Sequence, residues 1–491
     1  MKRYVPVLII FTILVWSVCG FCAETTFEGA YRVRAWSEWN FDKKPGYAPP
    51  DYKARYDGWF DQIFRLRVTH ERCEFLKAVV SIDLAEDTWG QQRGFRINDS
   101  TDGEFIDQAY LEFSLPKVGN IRVGKLPVSW GHGLMLSTTY PGVDGIEWSN
   151  TWGPVEMCLL YQKISDNVSL GSTDYAYNRD SSMWAGKVNI VPSEDHLIEI
   201  YGGVVDSNYG WPQSQFWDYY LGIYASILEN PSDVSYRYGF VGLAYTGSVR
   251  DMFDVKFEYG RILGNGTVDN SRRATVAGLG DVFPTPAVEG WSLYGDVSYH
   301  NDFMRVGLAF LMTSGQPHMW GPGQLRYINK PSISQNEFKW GNIIGNNDDF
   351  LNNVYSGPFY GQPLENITSL KVYAEIAPME KVSVYAAVIW AKWTDPVGSD
   401  PLMSPGSSPA YPHPANYYST YAPGWQSWRA SDDAGWEIDA GVSYEIMEGL
   451  TLSCSGGVLF PGDSWDYVNW DGTRGEWGTI WSVMTDLTFE F

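Results

Sequence analysis

The chain has 491 residues, and its 35 basic and 58 acidic side chains give a formal net charge of −23. Such an acidic chain argues against nucleic acid as a partner, because the phosphate backbone binds basic surfaces. Aromatic residues make up 16% and charged residues 19%, and together with 50 glycines this composition favours many strands and turns. Cys73, Cys158 and Cys454 are far apart, so no disulfide framework, metal site or cofactor is predicted.

The amino terminus predicts export. Lys2 and Arg3 precede an apolar run from Val5 to Val18, and small residues follow up to Ala23. This is the pattern of a cleaved secretory signal peptide, here residues 1–23. Its removal takes away two of the 35 basic residues, so the mature chain 24–491 has a net charge of 33 − 58 = −25.

The last stretch, 479–491, reads TIWSVMTDLTFEF and alternates apolar with polar residues. As a strand it would place a nearly apolar row on one face and a polar row on the other. In an exported chain, a strand of this kind that ends in Phe is similar to the closing strand of bacterial outer-membrane β-barrels. That resemblance implies that outer-membrane lipid surrounds the chain and that the barrel-assembly machinery binds Phe491. The alternative is an ordinary edge strand that happens to end in Phe.

The same alternation recurs in about 18 segments along the chain. They lie near 27–39, 60–72, 75–86, 104–115, 119–127, 154–164, 168–174, 183–191, 195–205, 236–247, 252–262, 290–300, 303–314, 366–377, 380–393, 434–446, 449–460 and 478–491. Nothing after the signal approaches a run of about eighteen apolar residues, so a membrane crossing would need a closed barrel. We predict an all-β fold, a transmembrane antiparallel β-barrel of about 18 strands over residues 24–491.

The connections between these segments alternate in length. Short periplasmic turns are predicted at 71–74, 116–120, 165–167, 192–195, 247–251, 300–302, 377–380 and 447–449, and long extracellular loops at 40–59, 87–103, 128–153, 206–235, 263–289, 315–365, 394–433 and 461–477. A barrel with both termini in the periplasm requires this alternation. Apolar residues at helical spacing predict a short amphipathic helix at 216–228, inside one external loop.

Residues 106–136 read IDQAYLEFSLPKVGNIRVGKLPVSWGHGLML: a strand ending Gln-Ala-Tyr, a tight turn, a strand ending Val-Gly-Lys and a glycine-rich segment. This order resembles the alginate-export family of outer-membrane porins, in which the corresponding strand ends in Gly-Arg-Gln. Lys125 and Leu126 stand in place of the Arg-Gln pair. The resemblance implies a monomeric barrel of about 18 strands in the outer membrane of a Gram-negative bacterium, with a strongly basic lumen.

Charged residues on the polar faces of the predicted strands indicate a lumen. Period-two spacing places ten of them on the inward face: Arg32, Arg34, Arg65, Arg67 and Arg122 on early strands, and Glu437, Asp439, Glu445, Asp486 and Glu490 on late strands. Closure would bring the basic and acidic rows together along the seam. One interpretation is a pore lining that selects small polar solutes, with arginines binding carboxylates. The other is mutual neutralisation across adjacent strands. The two are compatible, and the acidic late strands argue against alginate itself.

The predicted function is passive diffusion or export of small polar or charged solutes, including saccharides or carboxylates, through an outer-membrane channel. Two alternatives remain open: a barrel that sheathes a haem protein in an electron conduit, and a barrel enzyme that hydrolyses lipid or peptide. No CxxCH motif is present, so the chain is not predicted to bind c-type haem itself. His132, within WGHG, is the most conspicuous of six scattered histidines; a structural role is favoured, and no catalytic residue is predicted.

Overall fold

The structure is a computed structural model. It describes residues 23–40, 56–89, 104–165, 181–207, 234–268, 287–315, 327–329, 334–335, 338–345, 364, 366–397, 431–465, 467–468, 474–475 and 478–491. Within these residues, no helix has the length and apolar character needed to cross a membrane. The predicted helix at 216–228 and residues 1–22 of the predicted signal peptide lie outside the described residues.

Within the described residues, eighteen antiparallel strands form a closed barrel in which β1 pairs with both β2 and the last strand, β22. The barrel strands are β1 (Glu24–Trp39), β2 (Tyr56–Cys73), β3 (Leu76–Thr88), β4 (Glu104–Leu115), β5 (Gly119–Trp130), β6 (Leu136–Trp152), β7 (Val155–Ser165), β8 (Ser181–Ser193), β9 (His196–Ser207), β10 (Val234–Val249), β11 (Phe253–Val268), β12 (Ala287–His300), β13 (Met304–Thr313), β16 (Ile367–Met379), β17 (Val382–Val397), β18 (Ser431–Met447), β19 (Leu450–Pro461) and β22 (Ile480–Glu490). The predicted all-β barrel of about 18 strands is confirmed.

Four shorter strands lie in the connections at one end of the barrel, which we call the long-loop end. They are β14 (Tyr327–Asn329), β15 (Ser334–Gln335), β20 (Tyr467–Val468) and β21 (Arg474–Gly475). β15 pairs in parallel with the start of β6, and β14 pairs in parallel with the start of β12. At the opposite end, the short-turn end, two or three residues join successive strands, as at 74–75, 194–195 and 448–449.

Alternation along each strand separates the two faces of the wall. In β22, Val483, Leu487 and Phe489 point outward and are 39%, 41% and 43% exposed, whereas Ser482 and Asp486 on the other face are buried. Among the described side chains, large apolar residues are likewise exposed on the outer face of other barrel strands, for example Val241 and Leu243 on β10 and Leu308 on β13, because successive side chains of a strand point to opposite faces. The outer face is therefore an apolar band, as lipid requires.

The structure corrects one predicted hairpin. The stretch 128–153, predicted to be an external loop, contains the end of β5 and all of β6. β7 pairs directly with both β6 and β8, so the barrel has no strand between β7 and β8. The strand predicted at 168–174 lies outside the described residues. The short turn of this region joins β6 to β7 at 153–154 instead of 165–167, and β7 runs opposite to the predicted direction.

Proline explains why β6 was missed. The β5–β6 ladder passes from the Leu126–Val143 pair to the Val128–Thr138 pair, so residues 139–142, with Pro141, form an irregularity in the strand. A proline has no backbone N–H to donate to a ladder and is tolerated in a sheet at such irregularities. Proline followed by glycine is typical of loops in a sequence, whereas β6 pairs with β5 on both sides of residues 139–142.

Inward-facing apolar side chains form two buried clusters in the described part of the barrel. The first includes Trp36, Leu134, Phe338, Trp340, Ile343, Ile344, Ile389 and Trp393, and the second includes Val79, Leu126, Trp130, Met135, Leu160, Met183, Tyr201 and Ile262. Both clusters contain residues from connections at the long-loop end, which fold into the barrel. The interior thus combines packed apolar regions with charged ones.

Candidate functional site

The side chain of Arg34 is buried in the barrel wall, with 1% of its surface exposed, and it is paired with Asp61. Its Nε and Nη2 donate to the two carboxylate oxygens of Asp61 on β2, at 2.7 and 3.1 Å, and the indole N–H of Trp36 donates to the same carboxylate at 2.7 Å. The guanidinium also lies 5.2 Å from the centre of the Trp36 ring. Arg34 and Asp61 therefore act as a buried pair across β1 and β2.

Arg65 and Arg122 have comparable partners on neighbouring strands. Arg65 donates to both oxygens of Asp83 on β3, at 2.6 and 2.7 Å, and lies 3.4 Å from Asp107 on β4. Arg122 on β5 donates to Glu147 on β6 at 2.9 and 2.5 Å. Their positive charges are therefore matched within the wall. Arg67 shares the inward face of β2 with Arg65, because the two are two residues apart on one strand.

A cavity of about 790 Å³ lies inside the barrel at the short-turn end. It brings together five of the ten charged residues that the sequence places on the inward face: Arg32, Arg65, Glu445, Asp486 and Glu490. Glu380 and Lys381, at the turn between β16 and β17, also line it. Arg32 on β1 lies 3.8 Å from Asp486 on β22, so charges of opposite sign meet across the seam of the barrel. Arg34, Arg67, Arg122, Glu437 and Asp439 are not among the lining residues of this cavity.

A second cavity of about 360 Å³ adjoins the first. Both are lined by Ser383, Ser443 and Ser453, which stand directly opposite one another on β17, β18 and β19. Lys371 and Tyr385 also line the smaller cavity. A row of hydroxyl groups therefore joins a charged cavity at the short-turn end to a second one deeper in the barrel.

Residues 339–342 line this second cavity, and Glu437 and Asp439 bind the stretch 338–345 that contains them. We call residues 338–345 the second inward segment. The Glu437 side chain is completely buried, and its two oxygens accept hydrogen bonds from the backbone N–H groups of Ile343 and Ile344, both at 2.7 Å. Asp439 accepts from the N–H of Asn342 at 3.2 Å. These two predicted lumen acids thus bind a loop inside the barrel.

Lys371 adds a third connection to this segment. Its Nζ donates to the carbonyl oxygen of Trp340 at 2.7 Å. The same ammonium lies 5.8, 5.7 and 5.5 Å from the ring centres of Trp340, Tyr373 and Tyr385. Aromatic faces attract a cation, so these rings stabilise Lys371 in the interior.

Residues 131–135, which join β5 to β6, form the first inward segment. They contact Glu258 on β11, which is fully buried. Its carboxylate accepts hydrogen bonds from the N–H groups of His132, Leu134 and Met135 at 2.6, 3.4 and 3.1 Å. The hydroxyl of Tyr201 on β9 donates to it at 2.5 Å. Backbone N–H groups inside a protein need acceptors, and one carboxylate supplies them here.

Glycine is needed where the first inward segment meets Glu258. Gly131 has a φ of 64°, in the left-handed region, and a Cβ built there would lie 2.8 Å from Cδ of Glu258. Any other residue would be strained in this left-handed backbone conformation, and its Cβ would lie too close to the carboxylate of Glu258. The WGHG sequence is therefore explained by a close backbone approach.

Sequence reasoning missed Glu258, although a signal was present. Phe257 and Tyr259 flank it in β11, and the parity that placed Glu437 inward applies equally to Glu258. What the sequence could not indicate is its partner, because His132 is 126 residues away along the chain.

No protein-family model matches the chain, and no curated protein is similar to it in sequence. Similar solved structures from Pseudomonas aeruginosa include OccK11 (OpdR), at 12% identity and a TM-score of 0.49 over 95% of this chain and 96% of that one. OpdQ has 10% identity and a TM-score of 0.48 over 95% and 97% of the two chains. OccK2 (OpdF) in complex with glucuronate has 10% identity and a TM-score of 0.46 over 95% and 98%. The resemblance to the alginate-export family stays a prediction.

Proposed function

We propose that the protein is a passive channel of the Gram-negative outer membrane, through which small polar or charged solutes diffuse. The observation that carries this proposal is the closed wall, which has an apolar outer face and encloses a charged cavity of about 790 Å³. A closed barrel leaves no unpaired strand edge in lipid. Fixed charges and a narrowed lumen select solutes by charge and size.

The ten charged residues divide into two roles in this proposal. Five line the cavity and face the solute: Arg32, Arg65, Glu445, Asp486 and Glu490. Arg67, on the same face of β2 as Arg65, is proposed to face the lumen outside this cavity. The other four, Arg34, Arg122, Glu437 and Asp439, hold strands and the second inward segment in place through the contacts described above. Diffusion of this kind needs no covalent step and no cofactor, so the protein is proposed not to be an enzyme.

Export and assembly belong to the same proposal. Residues 1–23 would direct export and be removed. Phe491 would be the residue that the barrel-assembly machinery binds, and the barrel would act as a monomer.

Contacts in the interior favour a channel over the two alternatives. Trp340, Ile343 and Ile344 are buried inside the barrel, in space that a sheathed haem protein would need. His132 is the candidate for a hydrolase, but its ring Nε2 lies 3.1 Å from the carbonyl oxygen of Tyr245. Its backbone N–H donates to the carboxylate of Glu258. These contacts keep the first inward segment in position.

Reversal potentials in planar bilayers test the channel. Glu490→Gln should shift the ion selectivity toward anions and Arg32→Gln toward cations, because each removes one fixed charge from the cavity. One charge acts on an ion about 10 Å away in water with about 0.4 kcal/mol, so the permeability ratio should change about two-fold in each variant.

The control is the neutral double variant Arg122→Gln/Glu147→Gln, which removes an ion pair whose residues do not line the cavity. Its selectivity should match that of the native protein. Unchanged ratios in both single variants would contradict the proposed lining, and absence of any conductance in the native protein would contradict the channel.

A further inference from the structure

The two inward segments contact a common residue, Tyr294 on β12. The ring centre of Tyr294 lies 5.6 Å from that of His132 in the first segment. It lies 5.5 Å from Phe338 and 6.3 Å from Trp340 in the second, and all three contacts are edge-to-face. Aromatic pairs at these separations attract one another, so Tyr294 connects the two segments through side chains.

Apolar packing and the backbone add further connections. Leu134 of the first segment is fully buried in the same apolar cluster as Phe338, Ile343 and Ile344 of the second. β15 shortly precedes the second segment, and it pairs with Leu136 and Ser137, which follow the first. Two loops from different parts of the chain therefore form one packed unit inside the barrel.

Carboxylates on two parts of the wall hold this unit. Glu258 binds the first segment from β11, and Glu437 binds the second from β18, with β12, β13, β16 and β17 between them. Both oxygens of each carboxylate accept hydrogen bonds. The amide NH2 of a glutamine would face one of the N–H groups that donate to the carboxylate. Replacing either glutamate by glutamine therefore removes at least one of these hydrogen bonds.

We propose that Glu258 and Glu437 are positioning residues that jointly set the width of the channel. Each fixes one segment directly and the other through the contacts around Tyr294. This inference rests on the proposed channel function. It assigns the size limit of the channel to one shared constriction instead of two independent loops.

Single-channel conductance and the exclusion of neutral polyethylene glycols of graded size test the proposal. Glu258→Gln and Glu437→Gln should each raise the unitary conductance at least about two-fold and admit larger polymers. The double variant should exceed the larger single effect by less than about 1.5-fold, because coupled residues do not contribute additively. Tyr294→Ala, with both carboxylates intact, should also raise the conductance.

Glu199→Gln is the matched control, since Glu199 is a buried carboxylate on β9 that pairs with Lys187 at 3.2 Å. It should leave the conductance unchanged. An equal rise in this control, or no rise in Glu258→Gln and Glu437→Gln, overturns the positioning role. Multiplying effects in the double variant, or no effect of Tyr294→Ala, overturns joint action. A native protein with no conductance refutes the channel itself, which is a distinct outcome.

Discussion

The buried pair of Arg34 and Asp61 illustrates how individual residues serve the wall. Both side chains are 1% exposed, and Trp36 contributes a hydrogen bond and its ring to the same contact. Two charges are costly to bury, and they are stable there only when hydrogen bonds match them closely. At this position the sequence placed an arginine on the inward face, but its partner removes it from the solute path.

Arg34→Ala should reduce the free energy of unfolding by about 3–5 kcal/mol, because it leaves the carboxylate of Asp61 buried without its cation. Urea titration of the protein folded in phospholipid vesicles measures this change. The double variant Arg34→Leu/Asp61→Leu should be less damaging, since no unpaired charge remains.

Lys77→Ala is the control for this measurement. Lys77 pairs with Glu71 at 3.4 Å, and both side chains are substantially accessible to solvent, so its loss should cost at most about 1 kcal/mol. Equal effects of Arg34→Ala and Lys77→Ala would show that burial does not govern the strength of these pairs.

Among the elements, the seam between β1 and β22 decides whether the barrel closes. Gly29 and Phe491 exchange two backbone hydrogen bonds, both 3.0 Å long. The Phe491 ring lies over Gly29 and stacks near Phe64 at 6.3 Å and Phe489 at 5.8 Å. The last residue thus completes the sheet with its backbone and packs across the seam with its side chain.

Gly29→Ala should weaken the seam, because the added Cβ would lie 2.5 Å from the Phe491 ring and 2.9 Å from the carbonyl oxygen of Arg65. Overpacking of this kind costs about 1–3 kcal/mol. The measurement is the temperature at which the folded barrel loses its compact migration in detergent gels, and we expect it to fall.

Gly239→Ala on β10 is the comparison, since its added Cβ would have its nearest neighbour at 3.5 Å, an ordinary contact. Its transition temperature should stay near the native value. The same transition temperature in both variants would contradict the close approach of Phe491 to Gly29.

At the scale of the whole molecule, the two faces of the barrel wall suit different surroundings, lipid on the outside and water in the interior. Outward residues such as Trp184, Val241 and Leu308 are more than half or about half exposed, and they form the band that lipid would contact. Inward residues include the two apolar clusters, charged and hydroxyl-bearing residues beside the cavities, and buried charged contacts such as that of Arg34 with Asp61. Unlike a water-soluble protein, the barrel therefore exposes apolar side chains on its outer face. It also keeps packed apolar regions in its interior.

Val241→Lys should impair folding into lipid, because Val241 lies near the middle of β10 and is 53% exposed on the outer face. A lysine on the lipid face near the bilayer midplane costs about 2–4 kcal/mol. Ser443→Lys, at a position that lines both cavities, should fold nearly as well as the native protein. Equal folding yields of the two variants in vesicles would contradict the assigned outer face.

Local patterning was enough to predict most of the fold. In β22, alternation alone assigned Asp486 to the interior and Leu487 to the outside, and the exposures agree. The prediction was wrong at β6, because Pro141 lies at an irregularity within a strand that continues past it. A breaker residue reports a local irregularity, and only the neighbouring ladder shows whether the strand ends there.

The site was less accessible to such reasoning. Alternation along the strand predicted that Glu437 points inward. It did not predict the hydrogen bonds by which Glu437 binds the second inward segment. Likewise, nothing near His132 in sequence pointed to Glu258 or Tyr294. These contacts join residues that are between 93 and 162 positions apart, and they exist only once the wall is closed and curved.

The amino-acid sequence therefore determines the strands, their outward and inward faces and most of the alternation between short turns and long loops. The reason is that successive side chains of a strand point to opposite faces, which is a local property of the chain. The closed tertiary structure establishes which charges neutralise one another and which loops enter the lumen. The reason is that barrel curvature brings distant strands and connections together, and a buried polar group must be satisfied by whatever group then lies beside it.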